Sequence, residues 1–361
     1  MLSGPQGADG MKLVILGAGV MGSAMTLPAA DNTMDVRLVG THLDHTVIDH
    51  VRKNGFHPKL NVMLPGSVKA SYVTEFAGEV GEDTDVILVG VASAGVDWVI
   101  EQLAITLRRP IPLLFITKGM VAADLTLHAI PDVVQKALRN RLGFHVPVAA
   151  IGGPCIAGEL AVRRHTGTVI VSRDADLAIK LCGLLSTEYY HPRTSADMAG
   201  VETCAAFKNF FAIAVGWAHG RQEVLVATQN NAKNNNPAAI LFDQAIREMM
   251  ALAQALGGTA ASVWGMPGAG DLYVTCQAGR NSRLGNHLGR GATYAAIKAG
   301  PMKDETIEGA ELGLAVAGAV RAMVAKGQLA AGDVPLTLAL LDCLVDDTPL
   351  DPPWALFHGG A

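Results

Sequence analysis

A single lysine lies within an apolar stretch in the middle of the chain. Between Cys204 and Gly216 the polar side chains are Lys208 and Asn209, and every other residue is Ala, Phe, Ile, Val, Cys or Gly. A segment that is apolar on all faces predicts a buried helix. Because a buried ammonium group loses its hydration, Lys208 needs a cavity, a counter-charge or a polar ligand. The alternative is a core helix whose lysine extends to solvent at a domain edge.

A glycine-rich motif near the start of the chain predicts a dinucleotide site. The apolar run Lys12–Leu16 is followed by Gly17-Ala18-Gly19-Val20-Met21-Gly22 and then by a helical pattern over Ser23–Ala30. In a strand–turn–helix context, the first glycine permits the tight turn, the second permits close approach to a pyrophosphate, and the third permits close packing of helix and strand. The competing interpretation is a glycine-rich turn without a ligand.

The next strand lacks the acid that a strict NAD enzyme uses. The strand Asp35–Val39 is followed by Gly40-Thr41-His42, whereas an Asp or Glu at its end would bind the ribose 2′-hydroxyl group. Asp44 lies further along the chain than that position. The sequence therefore leaves the choice between NAD and NADP open.

Apolar strands alternate with helical patterns through the first half of the chain. Strand-like runs are Asp85–Val91, Ile111–Thr117, Val148–Ile151 and Thr168–Val171, and helical patterns cover Gly95–Leu107 and Leu125–Leu138. This alternation predicts a doubly wound α/β fold with a mostly parallel, Rossmann-like sheet. After Ser195 helical patterns dominate. We expect a flexible extension over residues 1–10, a dinucleotide-binding domain over 11–193 and an all-helical substrate domain over 194–361, with a loop at the Asn-rich residues 229–236.

The composition argues against several classes of function. A net charge of −5 without a basic stripe argues against nucleic acid as a partner. The five cysteines are scattered and never in CxxC spacing, and the eleven histidines lack an HExxH-like spacing. We therefore expect reduced thiols in a cytoplasmic protein, and no metal site. Without a long uninterrupted apolar run, no membrane insertion is expected.

Taken together, these motifs resemble the soluble NAD(P)-dependent glycerol-3-phosphate dehydrogenase family. The resemblance runs from Met11 to about Gly327. Beside the glycine-rich motif it is carried by Phe115–Met120, Gly152–Ala161, Thr194–Glu202, Phe207–Gly220, Gly268–Gly285 and Thr306–Gly313. The Lys-Asn pair and the Gly-Asp-Leu … Thr-Cys … Arg-Asn segment are specific to this family, whereas the glycine-rich motif is not.

The resemblance implies an enzyme that reduces dihydroxyacetone phosphate to sn-glycerol 3-phosphate, a precursor of glycerophospholipids. It implies that Lys208 is the catalytic acid/base, with Lys118 and Asp271 beside it. Substrate binding falls to Asn209, Thr275, Arg280 and Asn281, with the Arg280–Asn281 pair on the phosphate. Cofactor binding falls to Gly17, Gly19, Val20, Met21, Gly22, Lys118, Arg280 and Glu308. A homodimer is also implied.

Physical chemistry supports these roles independently. Hydride addition to a ketone leaves an alkoxide, which a lysine ammonium group can stabilise and protonate. A second lysine such as Lys118 would lower the pKa of Lys208 toward working pH, and Asp271 would orient the pair. The planar guanidinium of Arg280 suits a phosphate dianion. The competing interpretation makes Asp271 a helix cap and Arg280 a solvated surface charge.

Several departures from the family pattern leave the exact substrate open. Cys155 and Ile156 replace a hydroxyl residue and an aromatic, residues 221–237 are long and polar, and Leu241–Met250 replaces a helix that contains arginine and glycine. The alternatives are a dehydrogenase of another phosphorylated ketose or polyol on the same fold, and a nicotinamide-binding protein without turnover. Cys276 and Cys204 are expected to be small core residues.

Overall fold

The computed structural model describes residues 8–224 and 233–357. The chain divides into two compact units. The first comprises the described residues up to Lys118 together with Ile130–Met198, and the second comprises Gly119–Ala129 together with the described residues from Ala199 onward. The segment Gly119–Ala129 is thus part of the second unit, although it lies within the range that the sequence analysis assigns to the first domain. The functional assignment of the two predicted domains stays a prediction.

The described residues form the following strands and helices. The strands are β1 (Lys12–Leu16), β2 (Asp35–Val39), β3 (Phe56–His57), β4 (Val62–Met63), β5 (Lys69–Ser71), β6 (Thr84–Val89), β7 (Leu113–Phe115), β8 (Met120–Ala123), β9 (Thr126–Ala129), β10 (Val148–Gly152), β11 (Thr166–Val171) and β12 (Tyr190–Ser195). The helices are α1 (Val20–Ala24), α2 (Thr26–Asp31), α3 (His45–Asn54), α4 (Phe76–Glu79), α5 (Val96–Thr106), α6 (Ile130–Leu142), α7 (Ala157–Ala161), α8 (Ala175–Leu185), α9 (Met198–Val224), α10 (Asn235–Ala255), α11 (Ala260–Trp264), α12 (Asp271–Gln277), α13 (Arg280–Gly289), α14 (Tyr294–Ala299), α15 (Glu308–Ala325), α16 (Pro335–Val345) and α17 (Trp354–Phe357).

The first unit is built on one twisted sheet. In the described part of the chain its strands follow the order β12-β11-β10-β7-β6-β1-β2-β5, and every neighbouring pair is parallel except β10 with β11. Because β1 pairs with β2 on one side and with β6 on the other, the topology switches direction at β1. Open α/β sheets bind ligands at such a point, beyond the carboxyl ends of the strands. The prediction of a doubly wound, mostly parallel sheet is confirmed.

The central strands are buried on both faces, as their continuous apolar sequences predict. All five residues of β1 are buried, and so are the last four of β6. Side chains of β1, β2 and β6 form one core with those of α2, α3 and α8. A parallel sheet with helices on both faces produces this pattern, because neither face meets water.

A short hairpin replaces part of a predicted helix. The sequence pattern predicts a helix over Leu125–Leu138, but α6 begins at Ile130, and residues 126–129 form β9, which pairs with β8. The two residues of the turn, Asp124 and Leu125, both have positive φ angles, 51° and 57°. Two successive positive φ angles are the signature of a tight hairpin turn, which a leucine adopts only under strain, so the sequence carried no turn signal here.

Apart from the β8–β9 hairpin, the described residues of the second unit are mostly helical, and the unit is centred on α9. Among the described residues, α9 is the helix long and apolar enough to cross a membrane, but 94% of its most apolar window is buried inside the protein. Its aromatic residues Phe207, Phe210 and Phe211 pack against one another, with ring centroids 5.4–6.3 Å apart, and belong to a core shared with α10, α15 and α16. The helix is therefore the core element that its composition predicts.

Two sequence expectations fall partly outside the described residues. The extension predicted over residues 1–10 covers residues 1–7, and the Asn-rich loop predicted over residues 229–236 covers residues 229–232, none of which the structure describes. Among the described residues of these segments, Ala8 is buried, and α10 already begins at Asn235.

Candidate active site

Lys208 and Asp271 form a buried ion pair in the second unit. Lys208 lies in the first half of α9, and Asp271 is the first residue of α12, which follows a π-helical turn over Met266–Gly270. The ammonium group donates a hydrogen bond to Asp271 Oδ1, and the two side chains are 8% and 2% exposed. Lys208 thus has the counter-charge that its apolar surroundings require, and the alternative of a lysine extending to solvent is wrong.

Asn209, which follows Lys208 in the sequence, belongs to a hydrogen-bonded network of amide and carboxylate side chains. Asn209 donates through Nδ2 to Glu308 Oε2 at 2.9 Å and accepts through Oδ1 from Asn281 Nδ2 at 3.1 Å. Asn281 in turn accepts the backbone N–H of Gly309 at 2.9 Å. The Arg280 guanidinium also lies near this network, 3.9 Å from Glu308 Oε1. The structure therefore brings together four residues that the sequence analysis singled out: Asn209, Arg280, Asn281 and Glu308.

Glycines allow the helices that carry these residues to approach closely. A Cβ atom built on Gly285 of α13 would lie 2.0 Å from the carbonyl oxygen of Ile213 in α9, and one built on Gly216 of α9 would lie 2.3 Å from that of Ser282. A Cβ atom on Gly309, in the first turn of α15, would lie 2.3 Å from the carbonyl oxygen of Asn209. Bare backbone at these contacts is what places Asn209, Asn281 and Glu308 within hydrogen-bonding distance of one another.

Thr275 and Cys276 follow Asp271 in α12. The Thr275 hydroxyl donates to the backbone carbonyl of Asp271 at 2.6 Å, so that its oxygen keeps lone pairs with which to accept a further hydrogen bond. Burial raises the pKa of the Cys276 thiol to about 12, against the opposing influence of the Lys208 charge. Cys276 thus stays protonated at neutral pH and matches the expectation of a small core residue.

The glycine-rich loop lies in the first unit, between β1 and α1. Gly17 has a φ angle of 116°, and a Cβ atom built there would lie 2.7 Å from the carbonyl oxygen of Gly90, while one on Gly22 would lie 2.2 Å from that of Gly17. Gly19 differs from both. Its φ and ψ angles, −66° and 171°, are open to any residue, and a Cβ atom there would meet nothing within 4 Å.

This contrast tests whether the loop fits a nucleotide. The packing of the described protein explains the first and third glycines, but it gives no reason for the second. Open space beside a bare backbone is what a pyrophosphate needs in order to approach the chain. The two residues that follow Gly19 are partly accessible, since Val20 is 41% exposed and Met21 is half-buried. The residues present therefore fit a dinucleotide.

The structure does not test every predicted neighbour. Lys118 follows β7 at the carboxyl edge of the sheet and is half-buried in the first unit, whereas Lys208 and Asp271 belong to the second. The predicted proximity of Lys118 to Lys208 stays a prediction. So does a shared role of Arg280 and Glu308 with the glycine-rich loop.

Sequence reasoning missed two sets of residues that support the site. The first is the set of glycines Gly216, Gly285 and Gly309, which let the helices of the second unit approach; a glycine at four-residue spacing on two helices (Gly216 with Gly220, Gly285 with Gly289) was an available signal. The second is the pair Asp44 and His57, which contact the glycine-rich loop. No local pattern marks a contact between residues so far apart in the chain.

Both halves of the chain match models of one enzyme family. The model of the NAD-dependent glycerol-3-phosphate dehydrogenase N-terminus matches residues 12–178, and that of the C-terminus matches residues 197–352. An NADP(+)-dependent glycerol-3-phosphate dehydrogenase of Archaeoglobus fulgidus is 33% identical over 78% of this chain and 81% of its own length. A glycerol-3-phosphate dehydrogenase [NAD(P)+] of Exiguobacterium is 31% identical over 92% of this chain and 91% of its own.

A solved structure extends the likeness over nearly the whole chain. The crystal structure of glycerol-3-phosphate dehydrogenase from Coxiella burnetii superposes with a TM-score of 0.76 at 26% identity, and the match covers 97% of this chain and 98% of that one. The family models together cover most of the chain, including both Lys208 and the glycine-rich loop. This chain belongs to the NAD-dependent glycerol-3-phosphate dehydrogenase family.

Proposed function

We propose that this chain is an NAD(P)-dependent oxidoreductase that reduces dihydroxyacetone phosphate reversibly to sn-glycerol 3-phosphate. The observation that carries the proposal is the buried Lys208–Asp271 pair beside the Asn209–Asn281–Glu308 network. A buried ion pair adds little net stability, because desolvation offsets the attraction between the charges. Its presence in the core of α9 is better explained by proton transfer than by folding. Family membership supports the same reaction.

Lys208 acts in this proposal as the acid that protonates the nascent hydroxyl group. The nicotinamide cofactor supplies the hydride when it is bound. The ammonium group of Lys208 stabilises negative charge on the former carbonyl oxygen and then transfers a proton to it. Asp271 holds the ammonium group in one orientation, and the reverse reaction uses the neutral amine as base. Lys118 is proposed to lie beside the pair and to favour the loss of that proton.

Arg280 and Asn281 bind the substrate phosphate in the proposal. The Arg280 side chain is 47% exposed, and its 3.9 Å distance to Glu308 is too long for a hydrogen bond, so its N–H groups are available to an anion. Asn281 uses one Nδ2 hydrogen on Asn209, which leaves the second for a ligand. Asn209 and Thr275 are proposed to bind the hydroxyl end of the substrate.

The cofactor is proposed to bind along Gly17, Gly19, Val20, Met21 and Gly22. The open side of Gly19 is the supporting observation. Lys118, Arg280 and Glu308 are proposed to contact its nicotinamide half. Both NAD and NADP remain candidates, since one similar relative is described as NADP(+)-dependent and another as using NAD(P)+.

The experiment that tests the function compares ketone substrates. The purified chain is given reduced cofactor and, in turn, dihydroxyacetone phosphate, a four-carbon phosphorylated ketose and unphosphorylated dihydroxyacetone. We expect kcat/KM to be largest for dihydroxyacetone phosphate and to fall by about a hundredfold or more without the phosphate, because a bidentate charged contact is lost. A preference for the four-carbon compound would refute the proposed substrate and indicate a dehydrogenase of another phosphorylated ketose or polyol. Tight cofactor binding without turnover would indicate a non-catalytic binding protein.

The departures in α10 have a structural explanation that does not alter the proposed substrate. Leu241, Ala245 and Met249 of this segment are fully buried in the core. Gln244 donates to Glu248 at 2.7 Å, and Glu248 accepts the backbone N–H groups of Leu336 and Thr337 at the start of α16. The segment thus joins two helices of the second unit.

We further propose a cytoplasmic homodimer that forms through the second unit. Trp264 and Tyr273 are 59% and 61% exposed there, and aromatic side chains are enriched at protein–protein interfaces. Light scattering of the purified chain measures the mass directly. A mass equal to one chain at micromolar concentration would refute the dimer, and fractionation of cells tests the location.

A further inference from the structure

Two buried side chains hold the peptide groups of a single residue in the glycine-rich loop. Ala18, between the first two glycines, is fully buried. Its backbone N–H donates to Asp44 Oδ2 at 3.2 Å, and its backbone carbonyl lies 3.2 Å from His57 Nε2. Asp44 precedes α3 and His57 belongs to β3, so two separate segments of the first unit converge on this residue.

The hydrogen bonds of His57 define which ring nitrogen carries the proton. The backbone N–H of Leu60 donates to Nδ1 at 3.0 Å, which leaves Nε2 as the donor to the carbonyl of Ala18. His57 is fully buried, and burial lowers its pKa, so the ring is neutral at neutral pH. A neutral ring with one accepting and one donating nitrogen satisfies both contacts.

The carboxylate of Asp44 points toward the loop. The same oxygen, Oδ2, also accepts the backbone N–H and the hydroxyl of Thr41 at 2.9 and 2.8 Å. The residue is 8% exposed. Asp44 is the first acid after β2, and its accepting oxygen is occupied by three donors of the protein. It therefore joins the end of β2 to the glycine-rich loop.

We propose that Asp44 and His57 are positioning residues for the nucleotide, which fix the peptide of Ala18 so that the backbone of Gly19 faces the pyrophosphate. The inference rests on the proposed function only in taking the ligand to be a nicotinamide dinucleotide. A loop with three glycines loses much conformational freedom when it is ordered. Contacts that order it before the ligand arrives remove that cost from binding. Asp44, in this role, does not distinguish NADH from NADPH.

The first test removes the acceptor and measures binding without substrate. Asp44→Ala is titrated with NADH and, separately, with NADPH by calorimetry. We expect both dissociation constants to rise by about tenfold, with their ratio unchanged, since one buried hydrogen-bond acceptor is lost. Asp44→Asn keeps an oxygen at the same place and should restore most of the affinity. Asp49→Ala, on the exposed side of α3, is the matched control and should bind as the wild type does.

The second test separates the two hydrogen bonds of His57. Glutamine can place an amide N–H where Nε2 lies, whereas asparagine can replace only the acceptor at Nδ1. We expect His57→Gln to bind both nucleotides within about threefold of the wild type and His57→Asn to bind them about tenfold more weakly, at similar melting temperatures. This pair keeps the inference testable if Asp44→Ala does not fold.

Five outcomes would overturn the inference or leave it standing alone. Unchanged affinity in Asp44→Ala, or equal affinities in His57→Gln and His57→Asn, would refute the positioning role. Loss confined to NADH would show instead that Asp44 binds the ribose. A wild-type chain that binds the nucleotides but does not reduce dihydroxyacetone phosphate would refute the proposed function and leave this inference intact. A wild type that binds neither nucleotide would refute both.

Discussion

The two units hold their candidate functional residues in opposite ways. In the first unit the backbone of Gly17–Gly22 is the surface offered to a ligand, and the buried side chains of Asp44 and His57 hold it. In the second unit the buried side chains of Lys208 and Asp271 are proposed to carry the chemistry, and the helices nearby approach one another closely at glycines. Gly19 thus faces open space in the first unit, whereas Gly216, Gly285 and Gly309 face neighbouring backbone in the second. The same substitution should accordingly have different consequences in each.

The largest effect is expected at the centre of the second unit. Lys208→Met keeps the length of the side chain and removes the proton, so kcat should fall by about a thousandfold, within the range that a positioned acid contributes. The dissociation constant of the nucleotide should stay within about threefold of the wild type, because the proposed cofactor loop lies in the other unit. The measurement is kcat beside calorimetric binding, and circular dichroism reports whether the uncompensated Asp271 has disturbed the fold. Full turnover in this variant would remove Lys208 from the mechanism.

The second-largest effect is expected on substrate binding in Arg280→Ala, with little effect on cofactor binding. Arg280→Ala is expected to raise KM for dihydroxyacetone phosphate by about a hundredfold, through loss of a charged phosphate contact, and to raise KM for the cofactor much less. Arg283→Ala is the matched control, since Arg283 lies one helical turn away and pairs with Glu305 at 3.0 Å. Equal effects of Arg280→Ala on both KM values would count against a phosphate role.

A pair of glycine substitutions tests the comparison itself. Gly285→Ala places a Cβ atom 2.0 Å from the Ile213 carbonyl and should lower the free energy of unfolding by about 3 kcal/mol. Gly19→Ala meets nothing within 4 Å, so stability should be unchanged while nucleotide affinity falls by about tenfold. Gly183→Ala in α8 also meets nothing and serves as the control. Denaturant unfolding measures the stability of each variant, and calorimetry measures its nucleotide affinity. If Gly19→Ala lost as much stability as Gly285→Ala, the proposed difference between the two units would be wrong.

The smallest expected effect is a dependence of stability on pH in the first unit. Burial lowers the pKa of His57, with Lys59 lowering it further and Asp44 opposing. The unfolded chain takes up a proton below about pH 6.5, whereas the folded protein resists it, so the free energy of unfolding should decrease as the pH falls below about 6.5. Above that pH the group is neutral in both states and contributes nothing. His57→Gln should flatten this part of the curve, and an unchanged slope would show that His57 is not its source.

The sequence identified the candidate functional residues better than the residues that hold them in place. Lys208 could be singled out because a lone charge in an apolar helix breaks a local rule, and the glycine-rich loop because its spacing follows a strand directly. The family resemblance identified Asp271 as a neighbour of Lys208, but only the folded structure shows that the pair is buried. Asp44 and His57 gave no local signal, because their role exists only once β1, α3 and β3 are adjacent. Leu125 misled the helix prediction, because it lies in the turn of a hairpin that contacts α15, a tertiary contact that the local sequence does not reveal.

The most direct test of the central claim is a single turnover of the wild-type chain. The enzyme is mixed with a stoichiometric amount of NADH or NADPH and then with dihydroxyacetone phosphate, and the absorbance of the reduced nicotinamide is followed. We expect the absorbance to disappear with at least one nucleotide and sn-glycerol 3-phosphate to form in equal amount. A chain that binds the nucleotide tightly yet leaves it reduced would contradict the account.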